Sequence, residues 1–314
     1  MKRLLSAVLF AASLSAVPAI GAEQIKLVVP FAAGGPVDLV ARTIAVELGP
    51  RLGADLIVDN RGGAGGVIGT EFAAKSPPDG RTLLMASLGS HVLAAALRPQ
   101  LAYDPIKSFV PIAHVGAVPR LRVVGTQSRI ASLSELIAAA KRTTMSYGSA
   151  GPGSAMHIAA EVFNGAAGVK TTHVPYRGAG PALADLLGGH VDIILADAPV
   201  LVPMVNSHAV RALALFARER SPLVPDVPTA GELGYPDMVM ENWYGVLAPA
   251  GIAAPLRATI GKAVLDVLTI PVVKERLAQG GLQGGSGGEA FAARLAADVA
   301  YWGPTVKRLG ITAE

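Results

Sequence analysis

The chain has 314 residues, of which 51% are hydrophobic and 16% are charged, so it can bury a large core and is long enough for about two domains. Its 27 lysines and arginines exceed its 23 aspartates and glutamates by only four and form no basic cluster, which argues against a nucleic-acid-binding protein. Cysteine is absent, which excludes disulfides, thiolate metal sites and a cysteine nucleophile.

The first 22 residues predict a cleavable signal peptide. Lys2 and Arg3 form a short basic region, residues 4–17 an apolar region, and residues 18–22 a cleavage region. A membrane anchor is the alternative, but the apolar run is shorter than the roughly 20 residues that a spanning helix needs. We therefore expect export of a mature chain that begins at residue 23.

Alternating short strands and helices along the mature chain predict parallel α/β layers. The first part has predicted strands at residues 25–29, 55–59 and 82–86 and helices at 37–48 and 66–75. The middle repeats the alternation, with strands at 144–147, 171–174, 191–195 and 210–216 and helices at 154–167 and 178–187. Helical patterns at 255–268, 272–279 and 289–309 end the chain.

The glycine-rich stretches fit no nucleotide-binding motif. NRGGAGGVIG has Ile68 where a dinucleotide-binding fingerprint needs its third glycine, and neither this stretch nor GSAGPGS carries the lysine of a P-loop. Residues 284–288 match the Gly-x-Ser-x-Gly pattern of a hydrolase nucleophile elbow, but no predicted strand precedes them and no Asp and His follow in order. We interpret them as a flexible loop that leads into a helix. The six histidines are scattered, so no metal site is predicted.

Two junctions between a glycine-rich loop and a helix are the candidate ligand site. After the first predicted strand, residues 32–35 let a ligand approach the backbone closely. The helix that begins near Pro36 or Val37 presents unpaired amide hydrogens, which favour an anion. Asp38 is expected to hold the loop or cap the helix, because a carboxylate would repel an anion.

The second junction is YGSAGPGSAMH, residues 147–157, in which Ser154 begins a helix and His157 lies one turn further on. A nucleophilic Ser154–His157 pair is the enzymatic alternative. However, adjacent turns of one helix rarely align a hydroxyl with an imidazole for proton transfer, and no orienting carboxylate is evident. Ligand contact and simple helix capping are the two other interpretations.

Five stretches in series resemble the Bug family of periplasmic solute-binding proteins, the extracytoplasmic receptors of tripartite tricarboxylate transporters. The stretches are VVPFAAGGPVDLVAR, VDNRGGAGGVIGTEFAAKSPPDGRTLLMAS, YGSAGPGSAMHIAAEVF, HVPYRGAGPALADLLGGHVDIILAD and WYGVLAPAGIAAP. Each motif alone is weak, whereas the series covers essentially the whole mature chain and is specific.

The resemblance implies an α/β, two-lobe periplasmic binding protein fold, each lobe a doubly wound, mostly parallel sheet flanked by helices. Residues 23–122 plus 242–314 would form lobe 1 and residues 123–241 lobe 2, with the ligand in the cleft between them. It also implies a monomeric, periplasmic receptor that is not an enzyme and needs no cofactor or metal. By hinge closure it would capture a small organic carboxylate and deliver it to the membrane permease subunits of a tripartite transporter.

Two alternatives stay open at this point. A sensory binding protein would take the same ligand and pass the signal to a membrane receptor, and a periplasmic serine hydrolase would use Ser154 or Ser286.

The resemblance assigns ligand-binding positions in both lobes. Lobe 1 would contribute the aromatic wall, the backbone of the first loop, the start of the helix and a second loop: Phe31, Ala33, Gly34, Gly35, Val37, Ser87, Ser90 and His91. Lobe 2 would contribute the polar helix start, the PYRG turn and a carboxylate that fixes water: Ser149, Ser154, His157, Tyr176, Arg177 and Asp197. The alternatives are that His91 and His157 satisfy backbone groups, that Tyr176 is a core residue and that Arg177 is solvated.

Two positions depart from the family pattern. Many relatives carry serine or threonine where this chain has Val37, and a polar residue where it has Leu88. Both differences remove hydrogen-bonding groups from the expected pocket rim. We therefore expect a ligand with an apolar portion, such as an aromatic or aliphatic monocarboxylate, rather than citrate or a dicarboxylic amino acid.

Overall fold

The computed structural model describes residues 23–98, 100–236, 238–282, 284–308 and 310. The predicted signal peptide, residues 1–22, lies outside the described residues. Within these ranges, no helix combines the length and the apolar character needed to cross a membrane.

Strands and helices alternate along the described chain. The strands are β1 (Glu23–Val29), β2 (Ala54–Asn60), β3 (Thr82–Ser87), β4 (Phe109–Gly125), β5 (Ser146–Ser149), β6 (Thr172–Pro175), β7 (Ile193–Asp197), β8 (Val210–Phe216), β9 (Glu241–Pro249) and β10 (Ser286–Gly287). The helices are α1 (Pro36–Arg51), α2 (Val67–Ala74), α3 (Ala94–Leu97), α4 (Leu133–Arg142), α5 (Ala155–Ala167), α6 (Ala179–Leu187), α7 (Ala198–Asn206), α8 (Ala254–Thr269), α9 (Pro271–Gln279) and α10 (Gly288–Arg308). A short 3-10 helix, Ala64–Gly66, precedes α2, and a π-helix, Leu88–Leu93, precedes α3.

The long strand β4 joins two groups of strands. The first strand group has the order β2-β1-β3-β9 and ends on residues 109–119 of β4, to which β10 also pairs. The second strand group begins with residues 120–125 of β4, which pair with both β7 and β8, and continues through β5 to β6. The chain passes into the second group along β4 and is back in the first group at β9.

Parallel and antiparallel strand pairs occur in different parts of the sheet. The pairs β1–β2, β1–β3, β5–β6 and β5–β7 are parallel. Every antiparallel pair includes β4 or β9, the two strands that lie where the groups join. The α/β fold class is confirmed, and the departure from mostly parallel pairing is confined to those two strands.

Helix α1 shows how the sequence directs packing around the sheet. Its apolar residues recur at spacings of three and four, and those on one face are buried, including Val40, Ile44 and Leu48. This face packs against β2 and α8. Ile44 and Leu48 are fully buried, and each such side chain contributes about 1.5–3 kcal/mol to stability.

All the predicted strands and helices are present, with ends that differ by at most three residues from the predicted bounds. For the last helix, position 309 lies outside the described residues. The interpretation of residues 284–288 as a flexible loop is incomplete. Ser286 and Gly287 form β10 opposite His114 and Ala113, and α10 begins directly afterwards. The strands β4 and β9 and the helices α3, α4 and α7 were not predicted.

Candidate functional site

A small cavity lies between the two strand groups, beside the carboxyl ends of β1, β3, β5 and β7. Its volume is about 30 Å³. The first group and the helix after β1 contribute Phe31, Pro36, Val37, Ser87 and Asn242, and the second contributes Ala150, Ser154, Ala155, Met156, Ala179 and Asp197. Ligands of open α/β sheets bind at such carboxyl ends. A cavity of this size holds about two water-sized groups, so a larger ligand requires the walls to part.

A larger groove of about 620 Å³ lies elsewhere on the surface, over Arg98, Tyr103 and Val299. It is more open than the cavity, and none of the predicted site residues lines it. We therefore treat the cavity between the strand groups as the candidate site.

The loop after β1 is held in place by Asp38. Its carboxylate accepts hydrogen bonds from the amide of Gly34 at 2.9 Å, from Asn60 Nδ2 at 2.9 Å and from Arg42 Nε at 3.0 Å. Burial alone would raise the pKa of Asp38, but the bonds from Arg42, Gly34 and Asn60 together lower it below its usual value. Asp38 is therefore ionised and stabilises the loop, as predicted.

The first turn of α1 is open to a ligand. Its N-cap residue, Gly35, makes no side-chain capping bond, and Pro36 has no N–H. The next amides of the turn are left for solvent or an anion, and the helix dipole favours the anion. Val37, in this turn, lines the cavity.

The loop after β3 presents Ser87 to the cavity and directs its neighbours elsewhere. Ser87 and Ser90 cap each other at the start of the π-helix, with the Ser90 amide 3.3 Å from Ser87 Oγ and the Ser87 amide 3.2 Å from Ser90 Oγ. His91 Nε2 lies 2.7 Å from the carbonyl oxygen of Pro105, and its ring meets Phe109 edge-on. Burial lowers the pKa of His91 to about 4, so the neutral ring donates through Nε2. Its side chain satisfies the backbone and does not line the cavity.

The start of α5 combines helix capping with a cavity contact. Ser154 Oγ accepts a hydrogen bond from the His157 amide at 3.3 Å, and His157 Nδ1 accepts one from the Gly153 amide at 3.0 Å. The ring of His157 is therefore not bonded to Ser154, and the two do not form a proton-transfer pair. The hydroxyl hydrogen of Ser154 stays free to donate into the cavity that this residue lines.

A different serine and histidine are in contact nearby. Ser149 Oγ lies 2.6 Å from His173 Nε2, and the His173 ring stacks on His157 with centroids 4.2 Å apart. Ser149 is fully buried and does not line the cavity. Burial is the main cause that lowers the pKa of both histidines to about 4. This pair stabilises the loop and offers no accessible nucleophile.

The PYRG turn approaches the first loop through its backbone. The carbonyl oxygen of Arg177 accepts a hydrogen bond from the Ala32 amide at 3.2 Å, while the Arg177 residue as a whole is exposed. Tyr176 donates its hydroxyl hydrogen to Asp185 at 2.5 Å. Neither side chain lines the cavity.

A buried polar cluster around Asp197 lies beside the cavity, and the sequence predicted only its carboxylate. Asp197 Oδ1 accepts a hydrogen bond from Arg120 Nε at 2.9 Å, and Oδ2 accepts bonds from Asn242 Nδ2 at 2.5 Å and from the Tyr244 hydroxyl. All four residues are buried. Burial and the charge of Asp197 hold the pKa of Tyr244 well above its usual value, so its hydroxyl remains a donor.

Local signals for these missed residues exist but are ambiguous. Arg120 interrupts an apolar run in AVPRLRVV, and Asn242 precedes the apolar WYGVLAP. An isolated polar residue in a buried strand must find a partner, but the sequence does not name it.

The cavity brings together five of the predicted ligand-binding residues: Phe31, Val37, Ser87, Ser154 and Asp197. The other predicted residues lie around it without lining it: Ala33, Gly34, Gly35, Ser90, His91, Ser149, His157, Tyr176 and Arg177. Among the described residues, no group of three or more acidic or histidine side chains could hold a metal ion.

The two sides of the cavity also meet through close backbone contacts. Gly65 adopts a φ of +67°, and a Cβ built there would lie under 3.0 Å from the Pro152 carbonyl oxygen, closer than real Cβ atoms come. Arg98 Nη2 donates to the same carbonyl at 3.0 Å. The two strand groups are therefore in direct contact beside the cavity.

Comparison with known proteins identifies relatives along most of the chain. Residues 40–311 match the tripartite tricarboxylate transporter family receptor. BugT of Bordetella pertussis is 36% identical over 263 residues, which cover 83% of this chain and 81% of BugT. The structure of the periplasmic binding protein BugD has a TM-score of 0.89 at 34% identity and covers 93% of this chain and 99% of its own. MatC from Rhodopseudomonas palustris, solved with bound malate, has a TM-score of 0.86 at 35% identity, and the match covers 90% of this chain and 98% of MatC. The matched proteins are binding proteins rather than enzymes.

Proposed function

The chain belongs to the tripartite tricarboxylate transporter receptor family, and from that premise we propose that it captures a small organic carboxylate in the cavity between its strand groups and delivers it to membrane permease subunits. The observation that carries the proposal is the cavity itself, where the uncapped first turn of α1 and the hydroxyl of Ser154 face a space at the carboxyl ends of the strands. The bound malate of MatC supports the same ligand class.

The available donors are sufficient for useful affinity. A micromolar dissociation constant corresponds to about 8 kcal/mol. Hydrogen bonds to a charged group contribute roughly 1.5–3 kcal/mol each, so three or four donors reach this value after the cost of closure. Backbone amides of α1 and the hydroxyls of Ser87 and Ser154 provide such donors without a cation.

Apolar walls favour an apolar portion of the ligand. Phe31, Val37, Met156 and Ala179 surround the polar groups of the cavity. A second carboxylate placed against these side chains would lose its hydration without a replacement. An aromatic or aliphatic monocarboxylate therefore fits these walls better than citrate or a dicarboxylic amino acid.

We propose residues 23–122 plus 242–314 and residues 123–241 as the two lobes, with β4 and β9 at the connection. The ligand enters when the lobes separate and is enclosed when they close, so a membrane partner can distinguish the loaded from the empty receptor. Residues 1–22 would direct the chain to the periplasm as a signal peptide, and the mature receptor would be a monomer.

Thermal-shift screening of residues 23–314 tests the binding proposal. The probes are small monocarboxylates, each beside its uncharged amide, which keeps the shape and removes the charge. A ligand at 100 times its dissociation constant adds about 2.7 kcal/mol to the free energy of unfolding, a rise in Tm of roughly 4 °C for a chain of this size. Shifts with acids and not with amides are expected. Absence of a shift with every acid would contradict the proposal.

A further inference from the structure

The orientation of the Asn242 amide is fixed by its neighbour. Asn242 Nδ2 lies 2.5 Å from Asp197 Oδ2, and Asp197 is paired through its other oxygen with Arg120. An ionised carboxylate only accepts hydrogen bonds, so the nitrogen of Asn242, not its oxygen, must face Asp197. The amide oxygen, Oδ1, therefore points away from Asp197.

This oxygen lacks a hydrogen bond. Asn242 is 3% exposed, and its Oδ1 is buried without a partner in the part of the chain that the structure describes. Buried acceptors in folded proteins are normally paired, and an unpaired one is unfavourable. Asn242 also lines the candidate cavity, so a group that enters the cavity can supply the missing donor.

The chemistry of the surroundings selects a neutral donor. Asp197 is already neutralised by Arg120 at 2.9 Å and accepts bonds from Asn242 and Tyr244 as well. No uncompensated negative charge is left to hold an ammonium group, and the apolar walls would remove its water. A hydroxyl supplies one donor at a smaller desolvation cost.

Resting on the carboxylate-binding function proposed above, we propose that Asn242 Oδ1 accepts a hydrogen bond from a hydroxyl substituent of the ligand. The preferred ligands are hydroxycarboxylates whose remaining portion is apolar. An analogue without the hydroxyl leaves Oδ1 unpaired when the cleft closes, and it therefore binds less tightly.

Matched triples of probes test this assignment by isothermal titration calorimetry on residues 23–314. Lactate, propionate and alanine differ in one substituent, a hydroxyl, a hydrogen or an ammonium, and mandelate, phenylacetate and phenylglycine form a larger aromatic triple. At least one hydroxy acid is expected to bind about tenfold or more tightly than both of its partners. Equal affinity of the hydroxy acid and its unsubstituted partner in both triples would overturn the inference and leave the binding function standing. Failure of both hydroxy acids to bind, while other acids of the thermal-shift panel do bind, would also overturn the inference, whereas the binding function itself is decided by the whole panel.

Two variants connect the preference to Asn242. Asn242→Leu has a similar size but no acceptor, and the ratio of affinities for hydroxy and unsubstituted acids is expected to fall to about one. Tyr244→Phe is the matched control, because it also removes a donor to Asp197 but keeps the Asn242 amide. Its ratio should stay near that of the natural chain. An unchanged ratio in Asn242→Leu would assign the preference elsewhere. If that variant does not fold, Asn242→Ala, which also removes the acceptor, carries the same test.

Discussion

Replacing Arg120 with methionine tests how the buried cluster beside the cavity is stabilised. Arg120 Nε lies 2.9 Å from Asp197 Oδ1, and the two side chains are only 3% and 4% exposed. The variant leaves the carboxylate buried without its cation, and breaking such a pair costs roughly 3–5 kcal/mol. Asn242 and Tyr244 still donate to the other oxygen, so we expect a loss near 3 kcal/mol.

A double-mutant cycle separates the charge from the packing. Asp197→Asn removes the uncompensated charge, so Arg120→Met/Asp197→Asn should lose less stability than the sum of the two single variants, with a coupling of about 1–3 kcal/mol. Urea unfolding followed by circular dichroism gives each free energy of unfolding.

The surface pair of Arg220 and Glu232 is the matched control. Its Nε lies 3.0 Å from the carboxylate, but both side chains are 46% exposed. Solvent screening predicts that Arg220→Met costs at most about 1 kcal/mol. The reasoning fails if Arg120→Met costs no more than Arg220→Met, or if the cycle is additive.

Two further predictions concern closure of the cleft and acid stability. Gly65→Ala should obstruct the approach of Pro152, weaken carboxylate binding and enlarge the radius of gyration measured by X-ray scattering. Gly53→Ala is the control, because Gly53 also has a positive φ but no atom lies within 4 Å of its added Cβ, so the variant adds backbone strain alone. Identical scattering from both variants would contradict this prediction. Burial lowers the pKa of His91 from 6.5 to about 4, so the unfolded chain binds a proton that the folded chain refuses. Above pH 6.5 His91 therefore has no effect on how the free energy of unfolding depends on pH. Between pH 6.5 and pH 4 it lowers the free energy of unfolding by about 1.4 kcal/mol per pH unit. Urea unfolding at several pH values in this range should show that the free energy of unfolding changes less steeply with pH in His91→Gln than in the natural chain. An equal dependence on pH would refute the assignment.

Elements with a regular local pattern could be predicted from the sequence. The strand β8, at residues 210–216, has the predicted bounds because all its residues except Arg211 are apolar and neither glycine nor proline interrupts it. β4 has no such pattern, because Pro111, Gly116 and Pro119 interrupt it. It remains one strand because β9 pairs with its first part and β7 and β8 flank its last part. Tertiary pairing therefore overrides local propensity there.

The same distinction applies to the candidate site. The open first turn of α1 and the capping of α5 by Ser154 are set by residues that are adjacent in the sequence. The sequence therefore shows both, as a glycine or a serine directly before a predicted helix. The contacts of Asp197 with Arg120 and Tyr244 span 77 and 47 residues, so no local spacing encodes them. The resemblance assigns His91 to the ligand-binding loop, with contact to the backbone as the alternative, and in the structure the ring bonds the carbonyl oxygen of Pro105, which lies 14 residues further on.

The cluster around Asp197 also connects the cavity to the strands on which the proposed closure depends. Arg120 lies on β4, and Asn242 and Tyr244 lie on β9, whereas Asp197 ends β7 in the second strand group. A rotation of one group against the other must bend β4 and β9 close to these residues, and it therefore changes the distances between three donors and one carboxylate. Hydrogen bonds to a buried charge are strong and sensitive to geometry, so the cluster favours one relative orientation of the groups. A ligand bonded to Asn242 Oδ1 adds a further bond to that orientation alone, which is the differential affinity that ligand-dependent closure requires.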